Sequence, residues 1–426
     1  MTVAQKPDSS TAATTRLIWS LFGIALILRV AAAVYTGGLA HPETFEYDGM
    51  ARSLLLGNGL VYRHLNVPYH SFAPPLYPWL SAASYWLFNS LVPLMALKIV
   101  AGSYLAVVAA RIAQRLYPGR IAMLGAGLLV AIHPGLVLYS IAKAHPLTFD
   151  ALFFTLAVLL ALRLREQLSL RRAVEFGLIV GIGSLCRATL IIILPIVAIW
   201  LIVAASSNAK TVRAIAVAGF CAAMIVCPWT IRTSLLHHRF TFMVTTDAEN
   251  FWRGNNPNAT GGAYVDVGKT EVDALPVRER ADLYHQPDET AQADWFSLRS
   301  HAFIRQQPLH FVGFTLLKLL RFWWMGAQTG IEYPHWWAIA YMGYYLLIVL
   351  CAVFGVWAAW RFGGPARQHL ILIGVFLFAL SFLQSLYYVE GRHRWAVEPS
   401  LIAISGCGIA GLARRRQLGL VTPVES

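Results

Sequence analysis

Runs of apolar residues near the length a helix needs to cross a hydrocarbon core, about 20 residues for about 30 Å, constrain this chain more than any motif it carries. They fall at 17–37, 91–114, 119–139, 147–164, 173–187, 188–206, 211–231, 336–359, 368–388 and 395–413. Strand-type alternation is absent from these runs, so their backbone groups must be satisfied inside helices. Hydrophobic residues make up 57% of the 426 and charged residues only 13%, a balance that no soluble domain of this length shows. The sequence therefore predicts an all-α, polytopic membrane protein of ten to twelve spans.

Charge sets the expected orientation. The net charge of +13 is spread over short links instead of gathering in one patch, so nucleic acid is not an expected partner. Basic clusters recur at Lys6 and Arg16, at Arg111, Arg115 and Arg120, at Arg163, Arg165, Arg171 and Arg172, at Lys210 and Arg213, at Arg361 and Arg367, and at Arg414, Arg415 and Arg416. The positive-inside rule reads them as one cytoplasmic face of a plasma (inner) membrane protein. The expected division is a cytoplasmic tail at 1–16, a catalytic transmembrane region at 17–231 with its first outer loop at 38–90, a large extracytoplasmic loop at 232–308, a C-terminal transmembrane region at 309–413 and a cytoplasmic tail at 414–426. The apolar run after the N-terminal tail is too long for a signal-peptide core and is read as a retained anchor. Residues 75–89 and 309–325 are short or interrupted. Parity makes them outer juxtamembrane helices, with Lys318 and Arg321 in the headgroup layer; counting both as spans gives twelve crossings.

The outer boundary collects ionisable groups that a connector does not need. Glu43, Glu46 and Asp48 follow the first span, and Asp150 opens the run at 147–164. Arg63, Lys143, Arg187, Arg232, Arg253, Arg392 and Arg394 are expected on the same side. Carboxylates beside cations at a water-lipid boundary suit group transfer from a phosphate: an acid takes the proton of an attacking hydroxyl while Arg or Lys neutralises the leaving phosphate. For Asp150 a helix N-cap is the alternative, and for Asp48 the polar face of an amphipathic helix. Arg29 and Lys98 lie inside spans and read as functional groups, as snorkelling ones or as members of an internal ion pair. The five cysteines read as small core residues, and His237-His238 as solvated. Trp323-Trp324 and Trp336-Trp337 read as an interfacial belt. No nucleotide-binding glycine motif, repeat, cofactor site or metal-ligand spacing is found.

The succession EYDGMARSLLLGNG, APPLYPWLSAASYWLF, HPGLVLYS, FDALFF, LCRATLIIILP, CPWTIRT, WRGNNPNATGGAY and RHRWAVEPSL resembles, in that order, the GT-C glycosyltransferases of the protein O-mannosyltransferase and aminoarabinose-transferase superfamily. The resemblance implies a GT-C-like bundle that uses a polyprenyl-phosphate sugar donor and an extracytoplasmic acceptor; a single displacement, with one carboxylate as base while the lipid phosphate leaves, makes inversion the expected outcome. The resemblance also implies a first-loop acid at Glu43 or Glu46, a second acid at Asp150, and arginines at Arg232 and Arg392. Where the family usually has Tyr, this chain has His393. Two other classes remain: a lipid-linked glycan ligase or polymerase, which also has a long outer loop, and a transporter or flippase, whose paired broken helices and repeat symmetry are not visible in this chain.

Overall fold

The computed structural model describes residues 9–205, 208–324 and 333–419, so Lys6 and parts of both expected tails lie outside the described residues. The chain is a helical bundle. Helix α1 (Ser9–Thr36) leads to strand β1 (Glu43–Thr44), helix α2 (Glu46–Leu55), the hairpin of β2 (Tyr62–His64) and β3 (Val67–Tyr69), and α3 (Leu76–Phe88). Next come α4 (Val92–Leu116), α5 (Arg120–Ala131), α6 (Pro134–Ile141), β4 (Lys143–Ala144), α7 (Leu147–Glu166) and α8 (Leu170–Ser184). A 3-10 turn (Ala188–Ile192) runs into α9 (Ile193–Ala205), followed by α10 (Ala209–Leu236). The large loop folds into α11 (Asp247–Arg253), α12 (Val277–Tyr284) and α13 (Glu289–Gln306); α14 (Pro308–Trp323), α15 (His335–Phe362), α16 (Gly364–Leu386), α17 (Gly391–Trp395) and α18 (Glu398–Gly419) complete the chain.

Among the described residues, six helices are long and apolar enough to cross a membrane: α1 from Ala13, α4, α7, α10, α15 and α16. The expected run at 119–139 is not one straight helix. It is α5 and α6, bent by 52° at the break before Pro134, and it would make a seventh span. Proline removes a backbone donor there and disfavours helical backbone at the residue before it. The His133 ring caps α6 at this break, accepting at 3.1 Å from the Leu136 amide, one of the donors left without an intrahelical partner. The runs at 173–187 and 188–206 yield only the shorter α8 and α9, and the last run carries Arg414 and Arg415 within α18. The ambiguous segments are the short helices α3 and α14.

Lipid offers no hydrophobic force between helices, so close backbone approach through small residues does the packing. Helices α15 and α18 are the clearest case: a Cβ on Gly355 would lie 1.9 Å from the Ile404 carbonyl oxygen, and one on Gly408 would lie 2.0 Å from that of Cys351. Cys186, Cys351 and Cys407 are buried, whereas Cys227 is exposed, so the expected core role fails for that one.

Two contacts bring the outer segments over the bundle. Strand β1 pairs in parallel with β4, aligning Glu43 with Lys143. Glu289, fully buried at the start of α13, accepts from the His70 amide at 2.7 Å and from the Thr245 hydroxyl at 2.5 Å. His237 joins this knot through the Ser71 hydroxyl at 2.9 Å; it is packed there, not solvated as expected. Lys318 and Arg321 also depart from expectation. Lys318 is fully buried and donates to the Gly254 carbonyl at 2.9 Å, and Arg321 donates to the Thr260 carbonyl. They tie α14 to the large loop through these carbonyls.

Candidate active site

A cavity of about 600 Å³ opens where α7 begins and α16 ends, at the opposite end of the bundle from the basic helix termini. Six separate segments bring charged side chains to it. Strand β1 supplies Glu43, the first residue of α2 supplies Glu46, and the first turn of α7 supplies Asp150; Arg187 precedes the 3-10 turn, Arg253 ends α11, and Arg392 lies in α17. Six of the eleven residues predicted from sequence therefore line one cavity.

Their partners differ, and so does what each can do. The Glu43 carboxylate accepts from the Lys143 ammonium, and its side chain is about half exposed. Asp150 lies deep in the wall beside the Cys186 thiol, 3.3 Å from the Arg187 guanidinium. Arg187 also reaches Gln384 at 3.5 Å and is 26% exposed, which leaves donor capacity toward the open space. Arg392 is paired with Glu390 at 2.5 Å. Glu46 lines the cavity with no ion-pair or hydrogen-bond partner among the described residues.

The other five predicted residues do not line it. Asp48 faces α3, where it accepts from the Tyr85 hydroxyl at 2.5 Å, and it pairs with Arg52 at 2.9 Å. Lys143 is taken up by Glu43, and Arg63 is exposed on β2. Arg232 donates to the His70 carbonyl at 2.8 Å and stacks over the Trp229 ring, bracing α10 against the first outer loop. Arg394 is 1% exposed and bound to Glu398 at 2.6 Å, so it is a structural cation and not a cavity ligand. Arg29 is buried against the carbonyls of Ala25, Val130 and Ala131, and Lys98 donates to the Lys143 carbonyl; both serve backbone acceptors where α5, α6 and β4 break from regular geometry.

The structure adds acids that the sequence did not single out. His64 and Glu249 form a pair at 2.8 Å across 185 residues of chain. Burial works against ionisation of Glu249, but the His64 bond and the Arg253 charge hold it below the usual range. At Glu390 burial wins: its carboxyl is pushed up despite Arg392 and Arg253 nearby. Burial alone would lower Arg392, yet Glu390 and the surrounding tyrosines raise it well above its ordinary value, so it stays charged. His145 and His393 are driven well below the usual range by burial and the neighbouring arginines, which leaves two neutral rings in the wall. Glu390 was findable as the acid directly preceding GRHRW; the His64–Glu249 pair had no local signal. Among the described residues no group of three or more His, Cys, Asp or Glu is disposed to hold a metal ion.

Behind the wall Glu271 is fully buried, 3.5 Å from Arg253, with no hydrogen bond to either carboxylate oxygen. Burial lifts its pKa from 4.5 to about 7, outweighing the Arg253 charge that acts to lower it. A carboxyl raised in the folded state binds more protons there than when unfolded. Its contribution to stability is thus greatest below about pH 4.5 and declines as pH rises toward 7. Melting in detergent across pH 5–8 is expected to fall less for Glu271→Gln than for the parent; an unchanged slope would show that Glu271 stays ionised.

This set of groups suits transfer of a group from a phosphate: an unpaired carboxylate for a proton, and guanidiniums for the leaving charge. No curated protein sequence matches the chain significantly. Crystal structures of ArnT from Cupriavidus metallidurans, bound to undecaprenyl phosphate and in the apo state, superimpose with TM-scores of 0.44 and 0.41 at 11% and 12% identity, each over 98% of this chain and 82% of that one. Scores below 0.5 transfer no chemistry to this chain. Residues 73–231, which include Asp150 and Arg187, match the family model described as dolichyl-phosphate-mannose-protein mannosyltransferase, and over that segment the chain is similar to those enzymes.

Proposed function

We propose that the chain is an inverting membrane glycosyltransferase that moves a sugar, hexosyl or pentosyl, from a polyprenyl-phosphate donor to an acceptor on the extracytoplasmic side of the plasma membrane. The observation that carries this reading is the unpaired Glu46 carboxylate in one cavity with Arg187 and Arg392. In the proposed step an acceptor hydroxyl oxygen attacks the anomeric carbon and gives its proton to Glu46. The bond from that carbon to the phosphate oxygen breaks, and its electron pair leaves on the lipid phosphate, whose charge Arg187 and Arg392 neutralise. One displacement inverts the anomeric centre. Asp150 is a positioning residue that holds the Arg187 guanidinium, 3.3 Å away, toward the cavity.

The family match over 73–231 supports the donor class, and that segment contains Asp150 and Arg187 but neither Glu46 nor Arg392. Purified protein supplied with a panel of radiolabelled polyprenyl-phosphate sugars and cell-envelope extract should transfer label from one of them; no transfer from any member would remove the reading. Arg187→Lys and Arg392→Lys should each lower kcat/KM for the donor by about 10- to 100-fold, since a charged hydrogen bond contributes about 1.5–3 kcal/mol and a point charge cannot replace the fork. Arg232→Lys should leave donor kinetics unchanged, because Arg232 braces the loop outside the cavity.

A further inference from the structure

A second pocket, of about 300 Å³, lies at the opposite end of the bundle from the cavity. Tyr117, Trp357, Phe362 and the guanidiniums of Arg361, Arg414 and Arg415 line it, in the cleft between the last turns of α15 and α18. No acid lines it, and none of the three arginines has a carboxylate partner among the described residues. Two of them converge on one ring: Arg415 lies 4.0 Å and Arg361 4.9 Å from the Trp357 centroid.

Three like charges around one small volume repel one another, and stacking on an indole fixes their direction without neutralising them. The positive-inside rule accounts for arginines at this end, and helix C-termini favour cations, but neither requires convergence on a pocket. Two other arginines at this end do find an acid. Arg115 pairs with Glu166 at 2.9 Å and Arg171 with Glu175 at 2.9 Å. The floor is apolar and tight, since a Cβ on Gly411 would lie 3.0 Å from that of Ala358. Toward the bundle middle, Val353, Val356, Trp357 and Trp360 form an exposed ridge at helical spacing along α15. A ligand for this place is anionic at one end and apolar at the other.

We propose that the pocket binds the phosphodiester headgroup of an anionic phospholipid, with an acyl chain along the α15 ridge. Guanidinium forks match phosphate oxygens, and basic pockets between transmembrane helices hold anionic headgroups in this way. The site is separate from the sugar-transfer cavity and does not depend on its assignment.

Native mass spectrometry of the full chain, released from detergent with phosphatidylglycerol or with phosphatidylcholine of the same acyl length, tests the proposal. The parent should retain one phosphatidylglycerol in strong preference to phosphatidylcholine, and R361Q/R414Q/R415Q should lose at least about tenfold of that retention. R120Q/R171Q/R213Q, which removes the same charge from the same end outside the pocket, should keep it. Should the pocket triple melt early, Arg415→Gln alone carries the test, with an expected loss of about three- to fivefold. Equal retention of both lipids, an equal loss in the two triples, or displacement by millimolar inorganic phosphate would overturn the assignment.

Discussion

Glu46→Gln is expected to reduce sugar transfer by about 10²–10⁴, the usual effect of removing a general base, with no change in the amount of folded protein. Glu43→Gln should cost far less. The two acids are three residues apart and both line the cavity, but their surroundings separate them. Glu43 is engaged by the Lys143 ammonium, so its carboxylate must first leave that ion pair to reach an acceptor hydroxyl. Asp150 is occupied by the Arg187 guanidinium, 3.3 Å away. Glu46 has no such partner among the described residues. Gln keeps the shape and hydrogen-bonding size of the side chain, so the loss isolates proton acceptance. Transfer of radiolabelled sugar in a single turnover, with melting temperature alongside, measures it. A large loss at Glu43→Gln with Glu46→Gln near the parent would reassign the base and give Lys143 the task of releasing it.

What was readable in the sequence followed distance along the chain. The long spans α4, α7, α10, α15 and α16 announce themselves because apolar length is a one-dimensional property. The break before Pro134 had its signal in the proline itself, yet apolar residues on both sides masked it in a hydropathy window. Lys318 departs from its expected place for a different reason: its acceptors, the Gly254 carbonyl and Asn255, belong to a loop that returns from 64 residues away. Glu43, Glu46, Asp150, Arg187 and Arg392 are legible as site candidates because charge beside the end of an apolar run is costly and needs a reason, whereas Arg253 is marked only by its place in the outer loop. Arg232 satisfied the same criterion and still serves packing, because its acceptor His70 lies 162 positions away. Charge placement identifies which residues are unusual; only the fold decides whether a neighbour already satisfies them.

Arg394 shows how strongly such a neighbour can bind, and its removal should destabilise the fold more than any substitution in the cavity. Its guanidinium donates to Glu398 at 2.6 Å, to the Tyr341 hydroxyl at 2.6 Å, to the Phe322 carbonyl at 2.9 Å and to that of Trp324, with the Tyr345 ring 3.9 Å away. Glu398 in turn takes His133 at 2.5 Å and the Tyr341 hydroxyl at 2.8 Å. The cluster links the broken α5–α6 span to α15, α17 and α18, with Arg394 and Glu398 each 1% exposed or less. Taking away one partner strands a buried charge, so Arg394→Ala or Glu398→Ala should each cost about 3–5 kcal/mol. Replacing both by apolar residues of similar volume should cost less than the two single changes added together, because the stranded charge is then gone. Detergent melting curves of the two singles and the Arg394→Met, Glu398→Leu double give that comparison. The His133 ring and the Tyr341 hydroxyl, left without the carboxylate, are the losses the double does not repair. If Arg394→Ala instead melts like the parent while donor affinity collapses, the guanidinium must be free to reach the cavity, and the ion pair with Glu398 is not its working partner.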